Sequence, residues 1–268
     1  MYFARVAPSR WGAGPDPRAS LPGGMGRLGG AVVLAWLVFD RLAAATNSVR
    51  GQAGGLIAAV VLGVVLVLDR ALLKRGWRES WASLGLGRPS ARGLLAGALI
   101  GLLLLAFFPL YARATGARLV VAPDTLPLLP GLFLQGGFAE ELLFRGFLFG
   151  RLRERRSFWR AALLSLVPFV AAHLLLLATL PFAIAGAATV LAAVMSFPLA
   201  RLYEVGGRTI WAPAVVHFVV QGAIKSIAAE PPPTLPMALP WMAVCMVVPW
   251  LAFVMPPSEP RARPARGG

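Results

Sequence analysis

Two glutamates and two histidines lie within segments that are otherwise almost entirely apolar. Glu140 and Glu141 fall in the apolar stretch 126–150, while His173 and His217, the only histidines in the chain, fall in two other apolar stretches. An ionisable side chain in such a stretch is unfavourable inside a membrane, so each one needs a functional or structural reason. A carboxylate shielded from bulk water suits a general base, and a histidine beside it can orient an attacking water. Together they predict a site for hydrolytic chemistry.

Helical spacing gives the two glutamates different roles. Glu141 and Arg145 are four residues apart, so they share a helix face and can neutralise each other. Glu140 is turned about 100° away and is expected to face a cavity. His217 and Gln221 share a face in the same manner, and both can donate hydrogen bonds to a developing oxyanion. The alternative is purely structural: a buried Glu–Arg ion pair, with histidines that serve only helix packing.

The composition identifies the elements that must position these residues. The chain is 58% hydrophobic and 14% charged, with a mean hydropathy of +0.72, whereas soluble domains carry about 25% charged residues. The fold class is therefore predicted as all-α, a polytopic membrane helix bundle. The net charge of +15 would suggest nucleic acid in a soluble protein, but the basic residues lie between apolar runs, so no nucleic-acid partner is expected. A single cysteine, Cys245, excludes an internal disulfide and a thiolate zinc cluster.

The apolar runs predict about eight transmembrane helices within a domain at 29–255. Residues 1–28 and 256–268 are predicted to be disordered tails. Pro181 is expected to break a long uncharged stretch into a tight hairpin of the fifth and sixth helices. The predicted spans are 29–46, 53–73, 93–112, 126–150, 158–180, 182–201, 209–228 and 237–255.

The distribution of basic residues predicts the orientation. With the N-terminus inside, 19 of the 26 basic residues fall in inner segments, and only Arg50, Arg113 and Arg118 fall in outer loops. The positive-inside rule then predicts both termini in the cytoplasm, in the inner (cytoplasmic) cell membrane. Lys225, near the outer end of its helix, is expected to snorkel to the interface, and Trp241 and Trp250 are expected to lie in interfacial belts.

This topology brings the candidate site residues to similar depths. Glu140 lies about 15 Å from the inner face, His173 about 21 Å and His217 about 12 Å, at 1.5 Å per helical residue. The three residues can therefore meet in one layer near the middle of the membrane.

Three short motifs carry a resemblance to a known family. The sequence EELLFR at 140–145 resembles the E-E-x-x-x-R motif of the CPBP family, the CAAX-protease and bacteriocin-processing intramembrane endopeptidases. FVAAH at 169–173 matches its F-x-x-x-H motif, and HFVVQ at 217–221 resembles its H-x-x-x-N motif. The resemblance covers residues of about 90–228, which would form a protease-like core.

The resemblance implies an Rce1-like, glutamate-dependent protease that acts on a peptide or protein substrate in the lipid bilayer. Glu140 and His173 would activate water, and His217 with the amide at 221 would stabilise the oxyanion. Glu141 and Arg145 would support the site. The chain departs from the family pattern at one position, since Gln221 stands where Asn is usual, which lengthens the side chain by one methylene.

Cofactor use and function have open alternatives. Glu140, His173 and His217 could hold a single divalent metal such as Zn in a His₂Glu site with an open water position, but H-E-x-x-H is absent from the sequence, and a glutamate base without metal is equally implied. The main rival function is a non-catalytic membrane immunity or binding protein of the same fold. A proton-coupled transporter is less favoured, because the sequence shows no internal repeat.

Overall fold

The computed structural model describes residues 24–46, 51–73, 76–123, 125–230 and 237–256. The predicted tails lie largely outside the described residues. The boundary at residue 28 was wrong, because the first helix already begins at Gly24. Residues 24–28 are therefore helical rather than part of a tail.

Helices make up most of the described chain. The first five are α1 to α5, at Gly24–Ala45, Gly54–Leu73, Trp77–Ser83, Ala91–Leu105 and Phe107–Thr115. Strand β1 spans Arg118–Val121, and α6 spans Thr125–Leu132. Two π-helical segments, Phe133–Ala139 and Leu142–Phe149, continue α6 into α7 at Gly150–Arg153. The remaining elements are α8 Phe158–Leu174 with a 3₁₀ turn Leu175–Ala178, α9 Phe182–Val205, α10 Trp211–Ser226, β2 Ile227–Glu230, and α11 Ala238–Val247 with a 3₁₀ turn Val248–Phe253.

Five helical segments among the described residues are long and apolar enough to cross a membrane. They are Gly24–Ala45, Gly54–Leu72, Ala91–Thr115, Phe158–Ala178 and Phe182–Val205. The predicted hairpin is present, since α9 begins directly after Pro181. The chain is therefore an α-helical, multi-pass membrane protein.

Two short elements of the structure were not predicted from the sequence. Strands β1 and β2 form an antiparallel pair in which Arg118 faces Glu230 and Val121 faces Ile227. The short helix α3 lies between the second and third predicted spans, with Trp77 and Trp81 exposed. Both elements are too short to leave a periodic hydrophobic signal. The sheet ties the end of α10 to the segment that leads into α6.

Small residues let α4 pack closely against α10. Glycines recur every fourth residue on one face of α4, at Gly93, Gly97 and Gly101, and all three are buried. A Cβ atom added to Gly97 would lie 3.0 Å from the carbonyl oxygen of Ala212, and one added to Gly101 would lie 3.3 Å from Val219. Membrane helices use such small-residue faces for close contact. The close contact fixes the position of α10, the helix that carries His217.

The prediction that Trp241 lies in an interfacial belt was wrong. Its side chain is fully buried, and its Nε1 donates to the carbonyl oxygen of Val220 at 3.0 Å. Its ring also packs 4.8 Å from that of Phe108. Trp241 therefore belongs to the core that packs behind α10, where its N–H finds a partner. Trp250 is 38% exposed, stacks on Phe253 and fits a surface position better.

An ion-pair cluster lies at one end of the bundle. Arg151 is buried and pairs with the buried carboxylate of Asp69, and it also donates to Ser83 and to Glu154 at 2.8 Å. Arg153 pairs with Glu204 near the end of α9. The cluster joins α2, α3 and α9 to the end of the helix that carries the glutamates. Two of the arginines predicted to mark the inner loop are thus structural as well.

Candidate active site

The two glutamates lie between the two π-helical segments. Glu140 and Glu141 themselves have α-helical backbone angles, with φ,ψ of −68°,−42° and −69°,−33°. A π-helical turn adds a residue to the helix and is frequent at functional sites. The sequence predicted this segment as one regular helix, and the flanking π turns are a difference that the structure adds.

Glu141 forms the centre of a buried ionic cluster. It is fully buried, and its Oε1 accepts a hydrogen bond from Nη1 of Arg145 at 3.0 Å. The predicted Glu141–Arg145 pair is therefore present. The same oxygen lies 2.6 Å from Nδ1 of His217. Sequence analysis missed this second contact, because helical spacing reports neighbours on one helix and not across two.

Glu140 is the more accessible carboxylate. Its side chain is 13% exposed, whereas that of Glu141 is 0% exposed. Its Oε1 accepts from Nε2 of Gln221 at 3.3 Å, and its Oε2 lies 3.6 Å from Nε2 of His217. His217 thus stands between the two glutamates, with one ring nitrogen toward each.

Gln221 connects this cluster to Lys225. Its Nε2 lies 2.7 Å from Nε2 of His217, and its Oε1 accepts from Nζ of Lys225 at 3.3 Å. Because the amide NH₂ donates toward His217, the imidazole proton belongs on Nδ1, where it is donated to Glu141. Sequence analysis placed Lys225 at the interface and missed this contact, although its position four residues after Gln221 is a signal that could have indicated it.

His173 lies near this group but does not touch it. Its Nδ1 donates to the carbonyl oxygen of Phe169 at 2.8 Å, so its Nε2 carries the lone pair. The rings of Phe169 and His173 are 4.7 Å apart, and the guanidinium of Arg145 lies 4.3 Å from the centre of the same phenyl ring. Among the described residues, no hydrogen bond joins His173 to Glu140.

The His₂Glu metal site considered as one alternative is not formed among the described residues. Among the residues that the structure describes, no group of three or more His, Cys, Asp or Glu side chains is arranged to hold a metal ion. Glu140 and His217 approach each other, but His217 already uses its two ring nitrogens on Glu141 and Gln221. The residues present do not fit a three-ligand metal site.

The candidate site thus groups glutamates, histidines and an arginine between the helices of a multi-pass membrane protein. Residues 122–223 match the family model described as type II CAAX prenyl endopeptidase Rce1-like. The match confirms the resemblance to the CPBP family. It is narrower than the predicted core of about 90–228 and contains all six site residues: Glu140, Glu141, Arg145, His173, His217 and Gln221. Searches of curated proteins and of solved structures gave no match.

Proposed function

We propose that this protein is an intramembrane endopeptidase in which Glu140 activates a water molecule. The observation that carries the proposal is the difference between two adjacent carboxylates. Glu141 is sealed in an ionic cluster with Arg145 and His217, whereas Glu140 is partly exposed and faces an amide donor. A base must reach water and substrate, and of the two only Glu140 meets that requirement. The Rce1-like match supports the same activity.

The proposed reaction begins with water held between Glu140 and Nε2 of His173. Glu140 takes a proton from the water, and the water oxygen attacks the carbonyl carbon of the peptide bond. The resulting tetrahedral oxyanion receives a hydrogen bond from Nε2 of Gln221. The C–N bond then breaks, the nitrogen takes the proton back from Glu140, and the products are a carboxylic acid and an amine. Water addition and proton transfers balance without any further reactant.

The donor role expected of both His217 and Gln221 falls mainly to Gln221 in this proposal. His217 holds its proton on Nδ1 toward Glu141, and its Nε2 accepts one amide hydrogen of Gln221. His217 therefore holds the amide in place. The ion pair of Glu141 and Arg145 holds His217 in turn.

Gln221→Met is expected to lower kcat by about 10²–10³, with KM changed by less than about twofold, because a methionine of similar length lacks the amide that stabilises the oxyanion. Gln221→Asn, which restores the residue usual in the family, is expected to retain far more activity than the methionine variant. Steady-state peptide cleavage in detergent micelles measures both. A methionine variant with wild-type kcat would remove Gln221 from the mechanism.

The substrate class is tested by comparing two peptides of one sequence. One ends in a prenylated CAAX motif, as the description of the family implies, and the other has a free cysteine. The purified full-length chain in proteoliposomes should release a new amino terminus from at least one of them, detected by mass spectrometry. Binding of peptide without cleavage would favour the immunity or binding function.

We propose further that the chain crosses the inner (cytoplasmic) cell membrane eight times, with both termini in the cytoplasm. The predicted spans 126–150, 209–228 and 237–255 would supply the three crossings beyond the five long apolar helices. The interrupted helix 125–153, the 16-residue α10 and the apolar segment Ala238–Phe253 support this count. The 19-to-3 distribution of basic residues supports the orientation.

Reporter fusions provide the direct measurement of this topology. Fusions at residues 85 and 155 are expected to report the cytoplasm, and a fusion at residue 120 the opposite side, because the basic segments stay inside. A fusion at residue 155 that reports the outside would contradict the orientation, since five arginines lie at 151–160.

A further inference from the structure

Three polar side chains form a row along one face of α10. His217, Gln221 and Lys225 follow one another at intervals of four residues, and consecutive members are in contact. The row begins at the buried histidine and ends at the exposed lysine, near the last residue of the helix. Gln221 is its middle member and also reaches Glu140 on the neighbouring helix.

The orientation of the Gln221 amide is decided by what lies at each end of it. A lysine ammonium can only donate hydrogen bonds, so it requires the amide oxygen, while the carboxylate of Glu140 requires the amide NH₂. If the amide were rotated by about 180°, its NH₂ group would face the ammonium of Lys225, another donor, and its oxygen would face the carboxylate of Glu140, another acceptor. We propose that Lys225 is a positioning residue, which holds the Gln221 amide with its NH₂ group toward Glu140 and His217.

The space around Gln221 supports this role. A Cβ atom added to Gly136 would lie 2.7 Å from Oε1 of Gln221, so the missing side chain at 136 makes room for the amide oxygen. The extra methylene of Gln221, compared with the usual asparagine, carries the amide past Gly136 to Lys225. Gly136 leaves space for the Gln221 amide and Lys225 binds its oxygen, so both residues suit a glutamine at the position where the family usually has asparagine.

The effect of Lys225 extends to His217. With the NH₂ group toward Nε2, the ring keeps its proton on Nδ1 and donates it to Glu141. If the amide turns, its oxygen faces Nε2, which must then carry a proton to avoid two facing acceptors. The protonation of Nε2 of His217 therefore reports the orientation of the Gln221 amide.

The test is ¹⁵N NMR of the full-length protein labelled at histidine, in detergent micelles. The chain has only two histidines, and His173→Gln identifies the signals of His217. Wild type is expected to show an unprotonated Nε2. Lys225→Met is expected to give a protonated Nε2 signal, and Lys225→Arg, which keeps the positive donor, is expected to preserve the wild-type pattern. Gly136→Ala displaces the amide from the opposite side and is expected to disturb the same signal.

Arg113→Met is the matched control, since it also removes one exposed positive charge. Arg113 lies in α5, shortly before β1, and Lys225 lies in α10, shortly before β2, the strand that pairs with β1. It should leave the His217 signals unchanged. A Lys225→Met spectrum identical to wild type, or an equal change in Arg113→Met, would overturn the proposal.

The catalytic consequence rests on the proposed peptidase function. Lys225→Met is expected to lower kcat about tenfold with KM nearly unchanged, and Lys225→Arg should recover most of the loss. A wild-type protein that cleaves no peptide would contradict the proposed function, while the ¹⁵N spectra would still decide the role of Lys225. Unchanged kcat in Lys225→Met, in an active protein, would contradict the positioning role.

Discussion

Glu140→Gln is expected to abolish peptide cleavage, with a loss of at least 10²–10⁴ in kcat, while the protein keeps its fold. Glutamine has nearly the same volume and can still accept the hydrogen bond from Gln221 through its own oxygen, but it cannot take a proton from water. The measurements are peptide cleavage and the midpoint of thermal unfolding in detergent. The midpoint should stay within about 2 °C of wild type, because no buried charge loses its partner.

The matched control for this variant is Glu79→Gln. Glu79 lies exposed in α3, so its replacement removes one carboxylate without touching the cluster. It should cleave at the wild-type rate. If Glu140→Gln retained activity comparable to this control, Glu140 would not be the base.

Glu141→Gln is expected to destabilise the protein by about 3–5 kcal/mol, because it leaves Arg145 as an unpaired buried charge. Arg145 is 2% exposed, so water cannot replace the lost carboxylate. His217 loses its charged acceptor as well, since its Nδ1 contacts the same oxygen and the glutamine amide oxygen is neutral. Chemical or thermal unfolding in detergent measures the change.

A double variant separates this effect from simple loss of packing. Glu141→Gln combined with Arg145→Gln removes both charges and is expected to unfold closer to wild type than Glu141→Gln alone. Equal stability of wild type and Glu141→Gln would mean that Glu141 is not the partner that neutralises Arg145. Equal stability together with equal loss of activity in the two single glutamate variants would remove the distinction between their roles.

The sequence predicted the five long membrane helices because their signal is a long run of apolar residues. The hairpin at Pro181 and the helices on either side of it follow from composition alone. The short elements β1, β2 and α3 have too few residues for such a signal. The burial of Trp241 could not be predicted from the sequence either, because a tryptophan near the end of an apolar run can face the membrane interface or the protein core.

The candidate site was predictable only within single helices. The Glu141–Arg145 pair and the row of His217 and Gln221 both follow from a spacing of four residues. The contact of His217 with Glu141 joins residues 76 positions apart, and no periodicity reports such a distance. The π-helical turns around Glu140 also change the helix phase locally, so α-helical spacing predicts neighbours within about one turn here but not across the whole segment.

The buried pair of Asp69 and Arg151 constrains the order in which the protein can be assembled. The two residues are 82 positions apart, so α2 emerges from the ribosome well before its partner has been synthesised. Until then Asp69 is an unpaired acid near the C-terminal end of a hydrophobic helix, where it is best tolerated close to the headgroups. We expect α2 to reach its final position only after the helix that carries the glutamates has been inserted and Arg151 can pair with Asp69. Insertion of the helix that carries the glutamates and closure of this end of the bundle would then be a single late event during biosynthesis.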